Sequence, residues 1–291
     1  MKTPKSIMLT ILLSLNCLFG QESPEIKADF PHLEGPFLGQ RPPGMNPELF
    51  APGIVSTEDL EMEGVFSPDM EEFYFVRQSK GEEAKTHVVK YENGIWRKPL
   101  KEERLGEVSI SADGKTMYLG NKYRKRTSTG WSELKSLGPT FETFPIMRLT
   151  ASEIGTYVFD EREEIGTLRY SRIINGKREE PQAFSAEINT GKWTAHPFIA
   201  PDESFLIWDS ERDGGYGDSD LYISFRQEDG SWGPAVNMGA NINSENEDIY
   251  GSVTPDGRFF FFSRINLAER RADIFWVDTR VIENLREKFK P

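Results

Sequence analysis

Cysteine, histidine and long apolar stretches are all scarce in this chain, and each scarcity removes a class of function. The sole cysteine of the 291 residues, Cys17, lies within the apolar run Ile7 to Phe19, so the remainder has neither a disulfide framework nor a thiol nucleophile. The three histidines, His32, His87 and His196, are far apart, and there is no H-x-x-x-H or C-x-x-C pair, so no metal site is expected. A G-x-S-x-G elbow and a glycine-rich phosphate loop are also missing, which disfavours seryl hydrolase and nucleotide chemistry. Beyond Phe19 no stretch is long and apolar enough to cross a hydrocarbon core of about 30 Å.

Lys2 and Lys5 precede the Ile7 to Phe19 run, which ends at Gly20; residues 1–20 read as a secretory signal peptide. The expected location is therefore periplasmic or secreted. Asn16 before Cys17 is a poor match to a lipoprotein signal. Loss of the two lysines moves the formal net charge from −12 to −14, a surface that repels phosphate backbones and argues against nucleic-acid partners.

Five times a polar turn is followed by β-forming residues: FSPDMEEFYF, ISADGKTMYL, TASEIGTYVF, IAPDESFLIW and VTPDGRFFFF. The acidic anchors are Asp69, Asp113, Glu153, Asp202 and Asp256, at spacings of 44, 40, 49 and 54 residues. Short strands recurring every 40 to 50 residues are the signature of a propeller blade. Each of the first four repeats supplies about four strands. The fifth supplies three, followed by VIENLREKF (Val281 to Phe289) with helical character. A spare strand near Gly53 to Ser56 would complete the last blade and seal the open edge. The expectation is an all-β fold, a five-bladed β-propeller closed by an N-terminal strand and carrying a short C-terminal helix. Residues 21–49 form a proline- and glycine-rich arm, and residues 50–291 the propeller.

The run Ser210 to Arg264, SERDGGYGDSDLYISFRQEDGSWGPAVNMGANINSENEDIYGSVTPDGRFFFFSR, resembles the WD40-like propeller repeats of the TolB type found in exported bacterial proteins. The resemblance covers most of the chain after the leader; it is strongest in repeats four and five and weakest in three, where Glu153 replaces aspartate. It implies a binding or scaffold propeller. The peptidoglycan-binding domain that often accompanies such repeats is absent from this sequence.

The innermost strand of a blade runs to the S-P-D turn, so strand starts converge on the opposite end of the channel. Six residues before the anchors stand Glu63, Glu107, Met147, His196 and Tyr250, with Arg148 beside the odd member; returning strands end at Arg77, Asn121, Asp160, Asp209 and Arg264. Glu63, Glu107, Arg148, His196, Tyr250, Arg77, Asp209 and Arg264 are the candidate ligand-binding residues. The plainer alternative is that they fill the channel and pair with one another.

The loop Asp213 to Asp220 (DGGYGDSD) invites a calcium reading through G-G-x-G-x-D, but Ser219 stands at the sixth position and the unit occurs once, so a glycine-permitted turn is the simpler role. The S-P-D turns differ from sialidase Asp-boxes, since Gly114 directly follows Asp113. Trp96, Trp131 and Trp232 read as packing residues of outer strands. No cofactor is expected. The leading function is an exported, non-enzymatic propeller binding a protein or glycan at the channel face. The alternative is a carbohydrate-active enzyme, with Glu63 and Glu107 as acid and base or nucleophile of a glycosidase, or His196 and Tyr250 moving protons in a polysaccharide lyase.

Overall fold

The computed structural model describes residues 30–163 and 165–289; the expected leader and Cys17 lie outside the described residues. The polar turns reverse the chain by side-chain bonding. Ser67 donates its hydroxyl proton to Asp69, and the amides of Glu71 and Glu72 donate back to Asp69 and Ser67, so strand Leu60–Phe66 turns into Glu72–Gln78. Ser111 with Asp113 and Thr254 with Asp256 repeat the device. Ala200 has no hydroxyl, and there the Ser204 amide alone donates to Asp202. These bonds account for Asp69, Asp113, Asp202 and Asp256 as turn chemistry; in the third group Ser152 accepts the Thr156 amide, and the Glu153 amide donates to the Pro201 carbonyl.

The strand pairings fall into five consecutive antiparallel groups. The first contains Leu60–Phe66, Glu72–Gln78, Lys85–Glu92 and Leu100–Glu103. The second contains Val108–Ile110, Thr116–Leu119, Lys122–Thr127 and Lys135–Ser136. The third contains Leu149–Ala151, Tyr157–Glu161, Thr167–Ser171 and Gln182–Ala183. The fourth contains Lys192–Ile199, Phe205–Glu211, Asp220–Phe225 and Val236–Asn237. The fifth contains Glu247–Val253, Phe259–Asn266 and Arg271–Asp278, and its outermost strand comes from the other end of the chain.

That outermost strand is Glu48–Leu49, paired with Trp276 and Phe275 and prolonged by the Phe50 amide donating to Ile274. It lies a few residues before the Gly53 to Ser56 segment expected from the sequence. The reason is local: Pro52 has no amide proton to give a ladder, and Gly53, at φ +79°, turns the chain so that its own amide donates to Ser56. Packing agrees. The Phe50 ring is fully buried, 4.7 Å from Phe73, 4.9 Å from Phe261 and 5.1 Å from Trp276. Phe37 and Leu38 join the same core, and Leu33–Glu34 pairs with Ile95–Trp96 at its edge.

The first strand of each group touches the first strand of the next in chain order, and that of the fifth group touches that of the first. The inner strands therefore close on themselves, although no single sheet forms a barrel. A parallel bridge between Ala272 and Leu60 further ties the last group to the first. Helix Arg280–Lys288 buries Val281 and Ile282 in the core shared by the fourth and fifth groups. The chain is thus all-β with a short C-terminal helix. No helix among the described residues is long and apolar enough to cross a membrane.

Candidate functional site

In three of the five inner strands the ladder slips, between Met62 and Val65, Ala195 and Phe198, and Ile249 and Ser252. Each slip contains a residue six before its turn anchor, in left-handed conformation: Glu63 at φ +63°, His196 at +49° and Tyr250 at +59°. A bulge re-aims its side chain, and a non-glycine residue held this way stores about 1–3 kcal/mol of strain. Gly64 and Gly251 follow two of the bulges because a Cβ there would lie 2.9 Å from the Phe73 ring or 2.8 Å from Ile207.

The bulges are pinned by the preceding group. Ser263 accepts the Glu63 amide, Asp160 the His196 amide and Asp209 the Tyr250 amide, each acceptor standing seven residues after its own anchor. Asp160 also accepts the amides of Met147 and Arg148.

The re-aimed side chains meet. Arg104 forms an ion pair with Glu63 and lies 3.9 Å from Glu107; His196 Nε2 is 3.7 Å from Glu107 and its Nδ1 3.0 Å from Asp209. The His196 ring lies 3.9 Å from that of Tyr250. Arg148 completes the group from the third strand set and acts electrostatically on Glu63 and Glu107. All of these except Arg104 are buried. Four of their polar atoms, Glu63 Oε2, Glu107 Oε2, Arg148 Nε and Arg148 Nη1, have no hydrogen-bond partner in the protein.

Burial governs the protonation of this cluster. It pushes the Glu107 carboxyl up to about 8, against the pull of His196, with Glu63 adding to the rise. Glu63 is raised by burial against the pull of Arg104 and Arg148, and the Tyr250 phenol is driven well up by burial, then by Glu107 and Glu63. Burial alone would lower His196; the Asp209 carboxylate, then Glu107, outweighs it and sets the imidazole at about 9. At neutral pH the Glu107 carboxyl, the His196 imidazolium and the Tyr250 phenol carry protons, beside the Asp209 carboxylate that holds the imidazolium.

The cavity lies at the other end of the inner strands. It measures about 750 Å³ and takes at least one turn residue from every group, among them Pro68, Ala112, Glu153, Pro201 and Pro255. Arg148 is the sequence candidate that lines it, and the C-terminal helix walls one side through Ile282. The opening therefore lies at the turns, whereas the polar cluster sits at the strand starts.

Arg77 and Arg264 stand outside the cluster. Arg77 pairs with Glu61 at 2.7 Å and donates to the carbonyls of Ile54 and Val55; Arg264 pairs with Asp248 at 2.7 Å and donates to Ile242. In both groups the acid stands eight residues before the anchor and the arginine eight after. Arg104 has no repeat position, lying in the connection between the first two groups, and sequence reasoning missed it. Asp160 was placed at the rim, but its role as an acceptor for the next group was not foreseen.

In the Asp213 to Asp220 loop, both Asp220 oxygens accept protons, from the amides of Tyr216 and Gly217 and the Asn237 side chain. Among the described residues no group of three or more His, Cys, Asp or Glu is placed to hold a metal ion. Trp96 is buried in the first core, Trp131 donates to Tyr74, and Trp232 packs edge-on against Phe184.

No family model matches the sequence, and no curated protein matches it. Among solved structures, TolB from Acinetobacter baumannii is similar at a TM-score of 0.46 and 14% identity over 77% of this chain; the match spans only 55% of that TolB. A putative TolB from Agrobacterium tumefaciens gives 0.43 and 18% over 72% of each chain. An alpha-L-arabinofuranosidase from Lactobacillus brevis gives 0.42 and 11% over 76% of this chain and 91% of that one. The strand arrangement described above rests on its own pairings, independently of these similarities.

Proposed function

We propose that this chain is an exported, non-enzymatic five-bladed β-propeller of the TolB-like WD40 type that binds a protein or glycan at the mouth of its central channel. Residues 1–20 serve as the leader, 21–49 as an arm and 50–291 as the propeller. The observation that carries the reading is a cavity of about 750 Å³ to which all five polar turns contribute. A concave site of this size at the convergence of repeated elements is the usual form of a ligand pocket.

Glycan and peptide arrays test this directly. Ala112, exposed at the cavity rim, is replaced by tryptophan to fill the mouth, and Trp193, half-exposed near the start of its inner strand, is replaced by alanine as the opposite-face control. The expected result is at least a tenfold loss of binding in Ala112→Trp and none in Trp193→Ala. The converse pattern would move the site to the other face. Amino-terminal sequencing of the exported protein checks the leader, with Gln21 expected as the first residue.

The second reading, a polysaccharide lyase or glycosidase, draws on Glu107, whose carboxyl stays protonated to about pH 8 as a general acid must. It requires the substrate to reach side chains that are each at most 9% exposed. Reducing ends or an unsaturated product released from any polysaccharide would favour it.

A further inference from the structure

Arg148 is 1% exposed, forms part of the cavity floor, and its Nε and Nη1 have no acceptor. The other cations of the cluster are matched, Arg104 by Glu63 and His196 by Asp209. A buried guanidinium without an acceptor is destabilising, which an anion arriving from the cavity would relieve. Glu107 does not supply that anion at neutral pH, because burial keeps its carboxyl protonated.

The cavity walls narrow the ligand further. Phe66, Ile110, Phe198, Phe205 and Phe261 give them a substantial apolar share. The hydroxyl protons of Ser109, Thr150 and Ser252 are already given to the carbonyls of Leu149, Pro197 and Gly64. A polyhydroxylated sugar would find few free donors here. The mouth carries Glu153, Asp202, Glu283 and Glu287 against Arg286, which opposes a polyanion and favours a neutral or basic segment outside a single buried negative charge.

We infer that the cavity receives the carboxyl terminus of a polypeptide ending in apolar residues, its carboxylate seated on Arg148 and a basic residue upstream facing the acidic mouth. The inference rests on the reading of this cavity as the binding mouth. A carboxylate on guanidinium forms charge-assisted hydrogen bonds, and removal from bulk water strengthens them.

Isothermal titration of the protein with N-acetyl-Lys-Ala-Leu-Leu, as free acid and as amide, tests it. The free acid is expected to bind at least tenfold more tightly than the amide, and Arg148→Met to abolish that difference while circular dichroism stays unchanged. Ala112→Trp should weaken both peptides alike. Since the acid–amide comparison is made on the unaltered protein, it stands even if Arg148→Met fails to fold. Equal affinity for acid and amide overturns the carboxylate seat but leaves the cavity as the binding mouth. Binding of N-acetyl-leucine as tight as that of the peptide acid overturns the chain-end assignment in favour of a small organic acid. If neither peptide binds, the inference is overturned, and the arrays described above decide the broader reading separately.

Discussion

His196 Nδ1 faces both carboxylate oxygens of Asp209 at 3.0 Å, and the two side chains come from adjacent strands of the same hairpin. Asp209 also fixes the Tyr250 bulge through its amide, so one carboxylate supports a charge and a backbone conformation at once. Asp209→Asn should destabilise the protein by about 3–5 kcal/mol, as expected when one partner of a buried pair is removed. Carbon-edited NMR of the histidine ring protons reads the electrostatic part. In the unaltered protein His196 should titrate near 9 and His87, lowered by burial and then by Arg77, near 4. In Asp209→Asn the His196 midpoint should fall by more than one pH unit while that of His87 stays fixed.

Stability should decline from mildly acidic to alkaline pH. Glu107 rises from 4.5 to about 8 on folding and His196 from 6.5 to about 9, so the folded state keeps both protons longer than the unfolded state does. Their contribution is complete below the unfolded values and is lost as pH rises through about 8 for Glu107 and about 9 for His196. Thermal unfolding followed across this range should show the midpoint falling steadily. Glu107→Gln should flatten the fall between 4.5 and 8 and shrink the His196 portion above 6.5 without abolishing it, because Asp209 still holds the imidazolium. A midpoint that rises with pH across this window would contradict the assigned proton positions.

Much of this cluster was legible because the repeat fixes register. Once the anchors are aligned, counting six residues back finds Glu63, Glu107, His196 and Tyr250, since each inner strand begins at the same distance from its turn. Arg104 escaped the count because it belongs to a connection of variable length, where no register applies. Arg77 and Arg264 were sent to the rim by chain direction alone. Their outward pairing was encoded in acids and arginines placed symmetrically about the anchor, which are cross-strand partners in the ladder. The cavity was not legible, because five turns and a helix distant in sequence jointly define it.

The symmetric pairs offer a transplant between groups. Where the fifth group has Asp248 and Arg264, the fourth has Thr194 and Ser210 at the same offsets from its anchor, hydrogen-bonded at 2.9 Å. Asp248 is fully buried and Arg264 partly so, so Asp248→Thr alone strands a guanidinium and should cost about 3 kcal/mol. The double variant Asp248→Thr with Arg264→Ser recreates the neutral pair. It should be at least about 1 kcal/mol more stable than the single, a coupling that chemical denaturation resolves. If the double is less stable than the single, the two groups are not interchangeable at these positions.

Ring closure is tested at Phe50. Its ring touches the first group through Phe66 and Phe73 and the fifth through Phe261 and Trp276, and its amide extends the Glu48–Leu49 strand onto Ile274. One side chain thus joins the first and last sheets of the chain at the seam where their edges would otherwise be open. Phe50→Ala should cost about 3–5 kcal/mol through the cavity it leaves. Phe50→Leu, which keeps most of the apolar volume and the backbone bond, should cost less than half as much. Hydrogen exchange separates this from a general loss of packing. Amides of Arg271–Asp278 and Leu60–Phe66 should lose protection first in Phe50→Ala, while those of Tyr157–Glu161, across the ring, keep theirs; uniform loss over all five groups would show that the seam is no weaker than any other junction.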